Sequence, residues 1–407
     1  MFGLGTFYWR VITKGDRITP GISEVRSFTV TKISVGNFEA GYEIKLDENA
    51  YDAVGTLSVK NVWLRSIREG YENMKFESAG SFNRGMCAVG NVVYVSGRSG
   101  NSASAKSYLA QYDINTGELL GNLELGSEAA MNYYPCNDVI KDTKGNVCIT
   151  NLTLAANSDA LVVHLVNLED GSLTQVAKVK TTAKLRIDHA ALWGDVTTGN
   201  FKVYAPIRES KSVVCWTFEN GTQTGFETKN MKASYAGSSF GMAPRMTVVD
   251  EDIILVDGGM TYATLYRYST GEMISSFKDN TTIQPLGYEG NGATIFALNG
   301  KNYLVYNYGD DGLVDGSSAG ITPWTFNVAS MDNNLSFASL KVLWTLPKEG
   351  LGDVYSSTAQ SPVDYVKVNN NTVRVVMYVP GCGLCAYDIT DSSISGIENV
   401  ADNTPVI

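Results

Sequence analysis

Residues 85–97 read GMCAVGNVVYVSG, and residues 107–125 read SYLAQYDINTGELLGNLEL. Gly90-Asn91 lies between two apolar runs, and Asn115-Thr116-Gly117 lies between two more. Asn and Gly tolerate the positive φ of tight hairpin turns, so this stretch predicts four short antiparallel strands, with 97–106 as a loose link in the middle. Similar units recur five more times along the chain. Their second strands give the clearest register: Val92-Val93-Tyr94-Val95, Val147-Cys148-Ile149, Phe201-Lys202-Val203-Tyr204, Ile253-Ile254-Leu255-Val256, Tyr303-Leu304-Val305-Tyr306 and Val373-Arg374-Val375-Val376. Each follows a turn, such as Lys144-Gly145-Asn146, Thr198-Gly199-Asn200 or Asn299-Gly300. The starts lie about 50 to 55 residues apart, with a longer gap before the last, which is the spacing of kelch-type propeller blades. Insertions around 309–321 and 348–361 account for that gap.

Other strands repeat as well. Tyr112-Asp113-Ile114-Asn115-Thr116-Gly117-Glu118 matches Tyr268-Ser269-Thr270-Gly271-Glu272 and, more loosely, Val166-Asn167-Leu168-Glu169-Asp170-Gly171-Ser172. The sixth unit reaches Ala386-Tyr387-Asp388-Ile389-Thr390 and then loses its apolar pattern, so it lacks a fourth strand. Leu57 to Leu64 supplies one and joins the two ends of the ring, protecting an edge of unpaired backbone groups. The expected fold is all-β: a six-bladed β-propeller over 32–390, built of four-stranded antiparallel blades and closed by an N-terminal strand. A seven-bladed ring that counts 33–76 as a blade is the alternative.

Composition agrees. The 407 residues include 40 Gly and 22 Tyr with only 18% charged residues, which suits short strands and turns better than helices. A net charge of −10 argues against nucleic acid, whose phosphates need clustered Lys and Arg. No run of 18 apolar residues is present, so no membrane span is expected. Met1 to Trp9 lacks the basic start and apolar segment of an export signal, and both ends read as cut from a longer protein. The six cysteines sit mostly in apolar strand-like runs, as small buried hydrophobes do.

At the N-terminus, residues 1–31 form an expected hairpin. Its Thr6-x-Tyr8-Trp9-Arg10-Val11, followed by a loop and Ser27-Phe28-Thr29, resembles the last two strands of fibronectin type III or immunoglobulin-like modules of secreted bacterial proteins. At the other end, 391–407 is expected to be a linker or tail. Its Ser395-Gly396-Ile397-Glu398-Asn399-Val400 resembles the lead-in to C-terminal tails of exported Bacteroidetes proteins, without their aromatic-Asn-Leu core. In repeat style, 78–390 resembles an uncharacterised family of secreted Bacteroidetes β-propellers. The resemblance implies an extracellular, cell-surface or periplasmic protein and carries no catalytic motif; a monomer is expected.

Loops leading into the innermost strands of a propeller converge at one mouth of its channel, where ligands commonly sit. Here they bring Arg84, Tyr133, Tyr134, Asp188, His189, Arg245, Glu289, Asn291 and Asp364 together as candidate ligand-binding residues. Aromatic faces against sugar C–H surfaces, with amides and carboxylates for hydroxyls, make a glycan or protein partner the favoured ligand. The competing reading is that these loops are polar because water fills the channel. A general base at His189, with Arg186 or Arg245 stabilising an anion, gives the alternative of a polysaccharide lyase or hydrolase. Adjacent strand residues face opposite sides, so Asp188 is not expected to orient His189. His164 reads as strand packing.

The remaining motifs lack their chemical context. Cys382-Gly383-Leu384-Cys385 has redox spacing but follows a strand rather than opening a helix, and no second Cys or His pair completes a zinc set. Asp310-Asp311-Gly312-Leu313-Val314-Asp315-Gly316 lacks the alternation and closing Glu of an EF-hand. No cofactor, metal or catalytic residue is assigned from sequence.

Overall fold

A computed structural model describes residues 5–10, 12–13, 21–30, 46–47, 49–66, 84–100, 102, 104–130, 134–154, 160–180, 185–232, 239–259, 261–279, 289–290, 292–310, 322–352 and 361–393. The chain begins with a hairpin in which β1 (Gly5–Trp9) pairs with β4 (Arg26–Val30), and β2 (Ile12–Thr13) with β3 (Gly21–Ile22). Strand β5 (Leu57–Ser66) comes next and belongs to the last blade.

Six antiparallel blades follow. Blade 1 is β6 (Met86–Val89), β7 (Val92–Arg98), β8 (Ser107–Asp113) and β9 (Leu119–Glu124). Blade 2 is β10 (Asp138–Lys141), β11 (Val147–Thr150), β12 (Leu161–Val166) and β13 (Leu173–Val179). Blade 3 is β14 (Ala191–Asp195), β15 (Asn200–Pro206), β16 (Ser212–Glu219) and β17 (Thr222–Asn230). Blade 4 is β18 (Met242–Val248), β19 (Ile253–Gly259), β20 (Thr261–Arg267) and β21 (Glu272–Ser276), with β22 (Glu289–Gly290) pairing onto the end of β19. Blade 5 is β23 (Ala293–Leu298), β24 (Lys301–Asp310), β25 (Thr322–Met331) and β26 (Lys341–Leu346). Blade 6 is β27 (Val363–Asn369), β28 (Thr372–Val379) and β29 (Gly383–Asp391), completed by β5 on the outside.

The register of that last pair runs from Gly383↔Ser66 to Asp391↔Leu57, so the ring closes at six blades. Leu57 to Leu64 therefore does what the missing fourth strand required, and the pairing extends two residues further, to Ser66.

Blades stack face to face, so both faces of a middle strand are covered and its sequence need not alternate. β28 is buried at every position, whereas the outermost β17 is exposed along most of its length. Each interface between neighbouring blades holds its own apolar cluster; between blades 2 and 3, for example, Ile140, Leu161 and Val163 meet Leu192, Phe201 and Trp216. The six clusters among the described residues map one to each junction.

The repeated Thr-Gly-Glu turn has a packing reason. Gly117 ends its turn at φ +71°, and a Cβ there would sit 2.6 Å from Cδ2 of Trp63 on the outer strand of blade 6. Gly171 and Gly271 abut the outer strands of blades 1 and 3 likewise, at 1.9 Å from the carbonyl oxygen of Glu124 and 2.7 Å from that of Asn230. A left-handed, side-chain-free residue lets each third-to-fourth-strand turn lie directly on the preceding blade.

The junction of blades 6 and 1 converges on one such turn. Trp63 Nε1 donates to the Ile114 carbonyl at 2.9 Å, Arg65 Nε donates to that of Gly117, and Arg374 Nη1 reaches the Ile114 carbonyl at 3.0 Å. Arg374 also forks onto Asp388 through Nε and Nη2 at 2.7 and 2.9 Å. The 311–321 and 353–360 parts of the two insertions, most of the calcium-like loop and the tail beyond Ser393 lie outside the described residues.

Candidate ligand channel

The six innermost strands, β6, β10, β14, β18, β23 and β27, enclose a cavity of about 590 Å³. Their side chains alternate between the two neighbouring blades, which decides what each group meets. On β10, Asp138 and Ile140 face blade 3, while Val139 and Lys141 face blade 1. The result is two ion pairs that each skip a blade and cross the channel. Arg245 of blade 4 reaches Asp138 of blade 2 at 3.3 Å, and Lys141 of blade 2 reaches Asp364 of blade 6 at 2.8 Å.

Around Asp138 the packing is close. Its Oδ2 lies 2.6 Å from His189 Nδ1, and its Oδ1 accepts from the Val139 amide at 3.0 Å. Gly85 makes room for it, since a Cβ there would fall 2.0 Å from Asp138 Oδ1. Burial pushes the Asp138 carboxyl upward, but Arg245 and His189 outweigh it and hold the group below the usual carboxylate range. Burial, aided by Arg245 and opposed by Asp138, holds His189 below the ordinary imidazole value. A neutral ring beside an ionised carboxylate donates from Nδ1, which leaves Nε2 an acceptor. That Nε2 is buried and has no partner among the described residues. Asp257 pairs with Arg245 across β18 and β19, and burial, only partly opposed by Arg245, raises its carboxyl well above the ordinary value.

Asp188 turns the other way. It accepts from Arg186 Nε and Nη2 at 3.0 and 2.8 Å, and Arg84 Nη1 stands 3.5 Å away. Arg84 and Arg98 also reach Asn137 Oδ1, at 3.1 and 3.4 Å, and Asn137 donates back to the Asp188 carbonyl at 2.7 Å. Asp188 thus ties blades 1 to 3 together, and the imidazole of His189 is oriented by Asp138 instead.

The structure sorts the candidate residues as follows. Arg245 and Asp364 line the cavity. His189, at 1% exposure, stands behind Arg245 and Asp138; Arg84 and Asp188 are buried in the adjoining cluster. Tyr134 is half-buried, with the Arg98 guanidinium 5.5 Å from its ring centre. Tyr133, Asn291 and the side chain of Glu289 lie outside the described residues. Asp138, Lys141, Trp193 and Tyr365 also line the cavity and were not singled out from sequence. A signal existed for two of them: Asp138-Val139-Ile140-Lys141 places charges at both ends of a buried inner strand.

Burial falls along the inner strands. In blade 1 Arg84 and Met86 are buried and Gly90 is exposed; in blade 2 Asp138 is buried and Lys144 exposed; in blade 6 Ser361 is buried and Val368 exposed. Among the described residues the cavity therefore opens at the ends of these strands, with the Asp138–His189–Arg245 group at its inner end.

Lys141 has its three donors occupied, by Asp364 and by the carbonyls of Ala88 and Tyr365 at 2.9 and 3.3 Å. Burial drives the Cys87 thiol far above its ordinary value, so it is no nucleophile. Cys382 and Cys385 are buried at a strand turn, and no disulfide joins cysteines among the described residues. His164 sits buried in β12. Among the described residues no group of three His, Cys, Asp or Glu side chains could hold a metal ion, and no helix is long and apolar enough to cross a membrane.

No protein-family model matches the chain, and no curated protein matches it in sequence. Among solved structures, a DUF4623 family protein from Bacteroides eggerthii superposes with a TM-score of 0.52 at 11% identity, covering 95% of this chain and 82% of that one. The likeness is one of fold. The Kuenenia stuttgartiensis hydrazine synthase aligns with a TM-score of 0.38 at 10% identity, covering 75% of this chain and 78% of that one.

Proposed function

We propose that this propeller is a non-catalytic binding protein that takes a glycan in its central channel. The carrying observation is the cavity of about 590 Å³, bordered by all six inner strands and faced by Trp193, Tyr365, Asp138 and Arg245. Its size falls within the roughly 300–1,000 Å³ of pockets that hold small ligands. Aromatic surface beside charged hydrogen-bonding groups suits sugar rings, and a recess of this width suits a chain end better than a protein face. Binding is favoured over lyase or hydrolase chemistry because the unpartnered Nε2 of His189 is buried behind Arg245 and Asp138.

The test is a glycan array followed by calorimetry on the wild type, Trp193→Ala and Thr247→Trp, the last placing bulk on the channel wall. Binding reduced about tenfold by the first variant, the loss of an aromatic contact plus its buried area, and abolished by the second supports the reading. Binding of a protein partner that Thr247→Trp leaves intact, or turnover of any polysaccharide, refutes it. We further propose that the protein is exported, which rests on the resemblances of the two termini, and that it is a monomer; cell fractionation with an antibody tests the first and light scattering the second.

A further inference from the structure

We propose, resting on the reading above, that the channel selects acidic oligosaccharides, those carrying sugar carboxylates. The charged side chains on its wall are Lys141, Lys144, Lys367 and Arg245 against Asp138, Asp142 and Asp364, a net positive lining in a chain whose net charge is −10. These charges are not equally available. Arg245 is engaged by Asp138 and Lys141 by Asp364. The Asp142 carboxylate keeps its charge and is fixed to the wall by the amides of Lys144, Asn146 and Val196 at 2.8, 2.9 and 2.9 Å, so the lining stays positive by one charge.

That leaves the ammonium groups of Lys144 and Lys367 at the open end of the cavity, on blades 2 and 6; Lys144 lies in the field of the Asp195 carboxylate without closing an ion pair to it, and Lys367 makes no ion pair among the described residues. A recess with low-dielectric walls focuses such a field, and ions of opposite sign concentrate there. Trp193, half-buried on blade 3, lines the same cavity. A ligand held by both features carries a negative charge beside an apolar ring face, which is the chemistry of a uronic acid residue.

Calorimetry with oligogalacturonate, oligomannuronate and a glucuronate-containing tetrasaccharide, each alongside its methyl ester, tests this. The ester removes the charge and keeps the ring. At least one acid is expected to bind about tenfold or more tightly than its ester, to weaken as salt rises from 50 to 300 mM (about a two-fold change in Debye length), and to drop to the ester's affinity in the Lys144→Ala, Lys367→Ala double variant. Equal binding of acid and ester, insensitivity to salt, or binding of none of the acids overturns the inference. Neutral glycans that still bind in a Trp193-dependent way leave the broader glycan reading standing, and failure of every glycan on the array removes both. Thermal melts of the double variant, expected to match the wild type because both lysines are at the solvent end, exclude misfolding.

Discussion

Closing the ring through Trp63 can be tested by substitution. Trp63 lies on β5, is 1% exposed, packs on Gly117 of blade 1, and donates to the Ile114 carbonyl. Trp63→Ala removes a large buried aromatic and leaves a cavity between the last blade and the first, a loss of about 3–5 kcal/mol. Trp63→Phe keeps most of the apolar contact and loses the indole donor. Arg374 still donates to that carbonyl, so no acceptor is orphaned and the lost bond costs only about 0.5–1.5 kcal/mol. Urea unfolding followed by circular dichroism gives both values, and hydrogen exchange reports where protection is lost. Trp216→Ala, equally buried but at the junction of blades 2 and 3, is the control. Trp63→Ala is expected to expose the amides of 57–66 and 383–391 first, and Trp216→Ala to leave them protected relative to its own blade. A cost for Trp63→Ala below about 1 kcal/mol, or identical exchange patterns in the two variants, would refute the reasoning.

Other outcomes follow from the same geometry. Gly171→Ala meets the Glu124 carbonyl oxygen as well as its own left-handed φ, whereas a Cβ at Gly221 meets nothing within 4 Å. Gly221→Ala should therefore cost only the backbone strain of about 1–2 kcal/mol, and Gly171→Ala clearly more, in parallel melts. Asp138→Ala leaves the buried His189 and the partly buried Arg245 without their carboxylate and should cost about 3 kcal/mol by urea titration. His189 is held below its ordinary value, so the unfolded chain takes up a proton that the native protein refuses. Its contribution is thus present above about pH 6.5, is lost as the pH falls below it, and should vanish in the pH profile of His189→Gln. Asp257 is raised, so here the native protein holds the extra proton, and stability falls as the pH climbs above about 4. Asp257→Asn should remove that decline, and a mutant profile parallel to the wild type from pH 4 to 8 would count against the assignment.

Local chemistry made the ring readable in advance. Turn residues such as Gly90-Asn91 and Gly145-Asn146, set between β-branched runs, mark hairpins whose strands the structure pairs as β6–β7 and β10–β11. The absent fourth strand of blade 6 was legible because Thr390 is followed by polar residues, which left β29 needing a partner that Leu57 to Leu64 had the pattern to supply. The channel was less legible. Arg245, Asp138 and His189 are 56 and 107 residues apart in pairs and meet only because blades 2, 3 and 4 curve around one axis. Periodicity gives the face on which a side chain lies, and it does not give the closure angle that sends Arg245 past blade 3 to Asp138. Nor does it reveal that, among the described residues, burial falls from the starts of the inner strands to their ends.

Strand β5 has one more consequence, for the order of synthesis. It is made early, and its partner β29 lies more than 300 residues downstream, so an apolar edge waits on the ribosome until nearly the whole ring exists. During that interval nothing prevents a second nascent chain from donating its own copy, and crowded polysomes or overexpression should yield strand-exchanged dimers, each ring latched by its neighbour's segment.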